Sequence, residues 1–283
     1  MIEQTAPAVT GSTVRTGRDL PLAVGVGVAL IALVLASLLV RKEAFGLVLV
    51  LAVGASLWEL AQAFRRRDLH LPLVPLLAGT IGMAVSAWTG GLEALFVAFL
   101  LTVGGCVVWR LLDGSGTAAL RDGTAAAFAA AYLPFLAGFA MLMLAAPDGA
   151  WRVLLFILLG VANDTGGYTA GVLWGRHPLA PSISPKKTWE GLGGSVVLAV
   201  VVGVLGATFL LDAPPLVGVV VGLAAVAAGT LGDLGESLLK RDLELKDMGR
   251  LVPGHGGLLD RLDSLLLTAP VTWAVLAVLV PVG

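Results

Sequence analysis

Apolar residues fall in runs of about 20, each long enough to cross a hydrocarbon core roughly 30 Å thick, with short polar segments between them. The pattern predicts nine membrane-spanning helices, at 20–40, 44–64, 71–88, 91–109, 124–146, 152–175, 192–211, 214–232 and 262–282. The expected fold class is all-α, a polytopic integral membrane protein. Residues 1–19 read as a disordered cytosolic tail and 20–123 as an N-terminal transmembrane region. Residues 124–283 read as a second transmembrane region that carries the chemistry on two cytosolic loops, 176–191 and 233–261. Leu20 to Val40 is long enough to span and lacks a clear small-residue cleavage site, so no cleaved signal peptide is expected. Pro72, Pro75 and Pro134 are expected to start or kink helices.

Composition agrees with a bilayer as solvent: 58% of residues are hydrophobic and only 13% charged, outside the range of soluble domains. A net charge of -1 gives no whole-protein argument for nucleic acid, so where the charges fall matters more than their sum. Of the 18 Lys and Arg, 15 lie on the side of the N-terminal tail and 3 (Arg41, Lys42 and Arg152) on the other. Under the positive-inside rule the N-terminus and both long loops are cytosolic and the C-terminus is outside. The single cysteine, Cys106, excludes an internal disulfide and reads as a small buried hydrophobe. The 37 glycines suit helices whose backbones approach closely.

Polar residues inside this apolar frame mark the candidate chemistry. Asn163 and Asp164 interrupt the sixth span, and Asp164, at 1.5 Å per residue, sits roughly 18 Å beyond Arg152, just past the midplane. An acid there requires a polar cavity or a partner. It reads either as the lining of a cavity or as a hydrogen-bonding lock between helices. Ser184, Lys186 and Lys187 put a hydroxyl and two cations on a proline-stiffened loop that can cradle phosphates, although juxtamembrane lysines also serve topology. His177 reads as a surface histidine. Asp233, Ser237 and Lys240 share one helical face if the eighth helix continues past the membrane, and can then meet metal and phosphate together. Arg241, Lys246 and Arg250 are placed to meet lipid headgroups. His255, Gly256 and Gly257 form a glycine turn, and Asp260, Arg261 and Asp263 follow it at the start of the ninth span, an arrangement suited to Mg2+ and a phosphorylated ligand. Two further acids, Glu59 near the cytosolic end of the second span and Glu93 at the outer start of the fourth, are expected to snorkel to the interface.

The run Ser237, Lys240, Arg241, Lys246, Asp247, Pro253, His255, Gly256, Gly257, Asp260, Arg261 and Asp263 resembles the S-x-x-K-R-x-x-x-x-K-D … H-G-G-x-x-D-R-x-D signature of the phosphatidate cytidylyltransferases, or CDP-diacylglycerol synthases. The loop Ser184–Gly191, preceded by Asn163 and Asp164, is similar to that family in the same order. The resemblance covers roughly residues 160–265; the first 120 residues share only generic hydrophobicity. It implies a polytopic, homodimeric inner-membrane enzyme joining CTP to phosphatidic acid to give CDP-diacylglycerol and pyrophosphate. It further implies a paired-cation site, Mg2+ with a second cation such as K+, on Asp233, Asp260 and Asp263, with Ser237 and Lys240 adjacent. The competing expectations are a CTP-dependent transferase acting on another lipid and, in a different class, an ion-coupled transporter using Asp164 and Asp233 as coupling acids.

Overall fold

The computed structural model describes residues 20–113, 116–249, 251–252 and 256–281; of the expectations above, the N-terminal tail, Arg250, Pro253 and His255 lie outside the described residues. The chain is a helical bundle. Its elements are α1 (Leu20–Val40), α2 (Lys42–Arg65), α3 (Leu73–Asp113), α4 (Thr117–Ala130), α5 (Leu136–Ala145), α6 (Gly149–Trp174), α7 (Trp189–Leu210), α8 (Pro215–Asp242) and α9 (Leu259–Leu279). A short hairpin, β1 (Pro178–Ala180) and β2 (Ser184–Thr188), joins α6 to α7. Seven helical stretches among the described residues are long and apolar enough to cross a membrane.

The spans predicted at 71–88 and 91–109 form one continuous element, α3, of 41 residues. Gly91 breaks it: φ of 70° and ψ of -158° are open to glycine and strained for other residues. The two arms fold against each other, because a Cβ on Gly79 would lie 2.2 Å from the Thr102 side chain. In a straight helix those residues would be about 35 Å apart. The fifth predicted span is α4 and α5, joined by a π-helical turn over Ala131–Phe135 that contains Pro134. Proline cannot supply the amide that an α-helix needs at that point, and the wider turn absorbs the loss. The eighth helix continues to Asp242, well past the predicted end at 232, so Asp233, Ser237 and Lys240 are helical.

Close backbone contact holds the C-terminal helices together. Cβ atoms on Gly166 of α6 and Gly194 of α7 would each fall 2.5 Å from the other's carbonyl oxygen, and one on Gly218 of α8 would fall 2.4 Å from that of Gly203 in α7. Large apolar side chains such as Ile31, Leu51, Leu101 and Phe209 point outward, as expected of faces toward lipid. At one end of the bundle Lys42 Nζ donates to the Ala146 carbonyl at 2.9 Å and lies over the Trp88 ring. Arg152, buried at the same end, pairs with Asp148 at 2.6 Å and donates to the Val280 carbonyl at 2.7 Å. At the opposite end Arg67 pairs with Glu244, and Arg110 pairs with the buried Asp122, which also accepts from the His70 amide.

Candidate active site

The loop 176–191, read from the sequence as stiffened by proline, contains an antiparallel hairpin with Pro178 opposite Thr188 and Ala180 opposite Ser184. Its base is held by Glu190, which accepts from the Arg176 and His177 amides at 3.1 and 3.2 Å and lies 2.5 Å from His177 Nδ1. His177 is therefore exposed, as predicted, but tethered. Thr188 accepts from the Gly191 amide at 3.1 Å and caps α7, fixing the angle at which the hairpin leaves the helix. The hairpin tip is tied to α8 by Arg241, which donates to the Ser182 carbonyl.

Under the hairpin lies a cavity of about 360 Å³ between α6, α7 and α8. Asn163, Asp164, Ser184, Lys186, Lys187 and Asp233 all line it, together with Tyr168, Thr188, Ser195 and Thr230. Asn163 is buried; its Nδ2 lies 3.2 Å from Asp164 Oδ1, and its carbonyl accepts from Ser195 Oγ at 2.6 Å. These contacts turn the Asp164 carboxylate into the cavity, where it is exposed. Lys187 is ion-paired with Asp233, so the hairpin and α8 meet directly.

Next to this cavity α8 and α9 touch at Gly232, where a Cβ would lie 2.7 Å from the Asp263 carbonyl oxygen. The approach brings Asp263 within electrostatic reach of both Asp233 and Glu236. Lys240 answers part of that charge, pairing with Glu236 one turn earlier on α8 and with Asp260 Oδ1 at 2.7 Å. Asp260 also accepts from the Met248 amide at 3.1 Å and the Gly257 amide at 2.9 Å, so its carboxylate organises the segment before α9. Gly256, at a φ of 89°, takes the left-handed conformation that favours glycine. Ser237 is half-buried on α8, while Lys246 and Arg261 are exposed. Among the described residues no three Asp, Glu, His or Cys groups converge closely enough to form a ready metal cage. The chemistry of the donor set nevertheless suits a hard divalent cation, since Asp263 lies within electrostatic reach of two further acids, Asp233 and the buried Glu236.

Three participants escaped the sequence reading. Glu236 stands three residues after Asp233 and four before Lys240, a helical spacing that could have revealed it. Tyr132, in the π-helical turn, has a buried hydroxyl that makes no hydrogen bond and lies within electrostatic reach of Glu236, Asp263 and Asp233. Glu59 corrects an expectation: it does not snorkel but is 1% exposed, accepting from the Leu251 amide at 3.2 Å and the Leu259 amide at 3.0 Å. The physical reason is that those amides, one of them at the first turn of α9, offer a closer partner than interfacial water. Its presence inside an apolar helix was the available signal, the same one that singled out Asp164. Glu93 is exposed.

These features define an all-α, multi-pass membrane protein with a lysine- and carboxylate-lined cavity at one end of its helices, of a kind suited to a phosphorylated ligand. The cytidylyltransferase family model matches residues 22–279, and the chain belongs to that family. It is 39% identical to the phosphatidate cytidylyltransferase of Mycobacterium leprae (strain TN), over 95% of this chain and 91% of the relative. Against the phosphatidate cytidylyltransferase of Mycobacterium tuberculosis (strain ATCC 25618 / H37Rv) identity is 36%, over 94% of this chain and 85% of the relative. The enzyme of the same name from Haemophilus influenzae is 38% identical over 148 residues, about half of each chain.

Proposed function

We propose that this protein transfers the cytidylyl group of CTP to phosphatidate, giving CDP-diacylglycerol and pyrophosphate. The observation that carries the reading is the pairing of Lys187 with Asp233 across one cavity, which joins a phosphate-binding hairpin to the acid-bearing ends of α8 and α9. A phosphate oxygen of the lipid attacks the α-phosphorus of CTP. The bond from that phosphorus to the bridging oxygen breaks, and pyrophosphate leaves with the electron pair. The attacking oxygen is already anionic, so no strong base is required, and positioning with electrostatic stabilisation supplies most of the rate. Lys186, Lys187 and Ser184 hold the triphosphate, and Gly256, Gly257 and Arg261 are assigned to the same ligand. Lys240 steadies the acids, and Arg241 and Lys246 are assigned to the lipid headgroup, as Arg250 is from the sequence alone.

Asp233, Asp263 and Glu236, with Asp260 behind Lys240, are the residues that would hold Mg2+, alone or with a second cation such as K+. When bound, the metal neutralises charge on the α-phosphate and the departing pyrophosphate. Counting α3 as two crossings folded at Gly91, and α1 as one, gives nine, with the N-terminus and the cavity on the cytosolic face of the inner membrane. A homodimer accompanies this reading.

The test is to incubate purified protein with labelled CTP, phosphatidate and Mg2+ and to follow label into the organic phase. Label is expected there, and chelator abolishes it. Label that appears only with another lipid acceptor would replace the substrate, and none with any acceptor would overturn the reading.

A further inference from the structure

Glu59 lies in α2, within the half of the chain that carries no recognisable chemistry, yet it touches the segment before α9 from the far side. Its carboxylate is 1% exposed in an apolar helix, a placement that costs several kcal/mol unless the group is hydrogen-bonded. Both oxygens are used, one on the Leu251 amide and one on the Leu259 amide. Leu259 is the first residue of α9, where the orphan amides and the helix dipole favour an acid. The fit leaves no room for side chains opposite: a Cβ on Gly249 would lie 1.9 Å from Glu59 Oε1, and one on Gly257 would lie 3.0 Å from Oε2. On the other side of the same segment Asp260 accepts from Met248 and Gly257 and pairs with Lys240. Two carboxylates on different helices therefore hold the amides of Met248, Leu251, Gly257 and Leu259, and one of them is in direct contact with the lysine that answers Glu236.

We propose that Glu59 is a positioning residue of the active site, setting the backbone around Gly249 and Gly257, and through it Asp260 and Lys240, from a helix that never meets the reactants. The proposal rests on the cytidylyltransferase reading for its activity arm only. It explains Gly249, which sits where the Glu59 carboxylate occupies the space of a side chain, whereas Gly257 is crowded first by Asp260 Oδ2 at 2.6 Å. Shortening the acid should therefore make room for a methyl group at Gly249, a coupling that a residue serving bulk stability alone would not show.

The experiment compares Glu59→Gln, Glu59→Asp, Gly249→Ala and the Glu59→Asp/Gly249→Ala pair in purified protein. Glu59→Gln is expected to lower kcat at least about tenfold, the loss of one charge-assisted hydrogen bond, with an unchanged unfolding temperature. Hydrogen exchange at the Leu251 and Leu259 amides accelerates in that variant, while the amides of α6 are unaffected. Gly249→Ala alone is inactive or nearly so, and the double variant recovers to well above the product of the two single effects. If the Glu59→Gln protein fails to fold, the Gly249→Ala and double variants still decide. Strict additivity, or unchanged exchange at Leu251 and Leu259, overturns the proposal. If wild-type protein makes no CDP-diacylglycerol, the activity reading falls instead, and the exchange measurement still judges the Glu59 hydrogen bonds.

Discussion

The ammonium of Lys187, at the end of the second hairpin strand, is ion-paired with the carboxylate of Asp233 on α8. The pair closes one wall of the cavity and holds a cation where a triphosphate would arrive. Lys187→Ala is expected to raise the KM for CTP about tenfold or more, the worth of one charge-assisted contact, while leaving acyl-chain preference untouched. Steady-state kinetics with phosphatidates of different chain length check this. A change confined to chain selectivity would contradict the phosphate role.

Asp260 and Asp263 stand one turn apart on α9 but in different surroundings, so their asparagine variants should differ. Both are expected to lower turnover about a hundredfold. Asp260→Asn also loosens the segment after Met248, since it weakens the acceptor for two amides and for Lys240. Asp263→Asn removes a charge within reach of Asp233 and Glu236 and is expected to unfold at or above the wild-type temperature in chelator. Near-normal turnover in both variants would remove these acids from the site.

Metal linkage gives an independent reading of the same acids. A cation that binds only the folded protein raises its unfolding temperature as concentration rises. Mg2+ is expected to stabilise wild-type protein and to stabilise Asp263→Asn far less. Equal shifts in the two proteins would show that any bound ion sits elsewhere.

The fold at Gly91 sets which side of the membrane each later loop occupies. In a Cys106→Ser background, Glu93→Cys and Ser182→Cys place single thiols at exposed positions on opposite ends of the bundle. An impermeant maleimide is expected to label Glu93→Cys in intact cells and Ser182→Cys only after lysis. Labelling of both from one side would refute the nine-crossing topology.

The glycine contacts between α7 and α8 carry a stability prediction. Gly218→Ala drives a methyl group against the Gly203 carbonyl and the Val204 backbone, and overpacking of this kind costs about 1–3 kcal/mol. Thermal unfolding in detergent should fall accordingly. An unchanged unfolding temperature would mean that the helices can separate there at little cost.

Membrane-spanning helices were readable from the sequence because each satisfies its own backbone hydrogen bonds and needs only about 20 apolar residues in a row. Breaks between them were less legible. Gly91 turns a helix back without any polar loop, and the π-helical turn at Pro134 leaves no mark in hydropathy. Asn163, Asp164, Lys186, Lys187 and Asp233 could be nominated singly, since polar groups amid apolar runs are costly and so conspicuous. That they share one cavity depended on the hairpin lying over α6 and α8, which local pattern does not encode.

The sequence by itself determined the solvent, the helical class and the family signature, all of which reside in consecutive residues. Only the tertiary structure decided that Glu236 lies within electrostatic reach of Asp263, that Lys240 bridges α8 to Asp260, and that Glu59 from α2 holds the backbone beside α9. The reason is physical: a buried carboxyl group is stabilised by whichever donors the packing brings within about 3 Å, and packing joins residues that the chain keeps far apart.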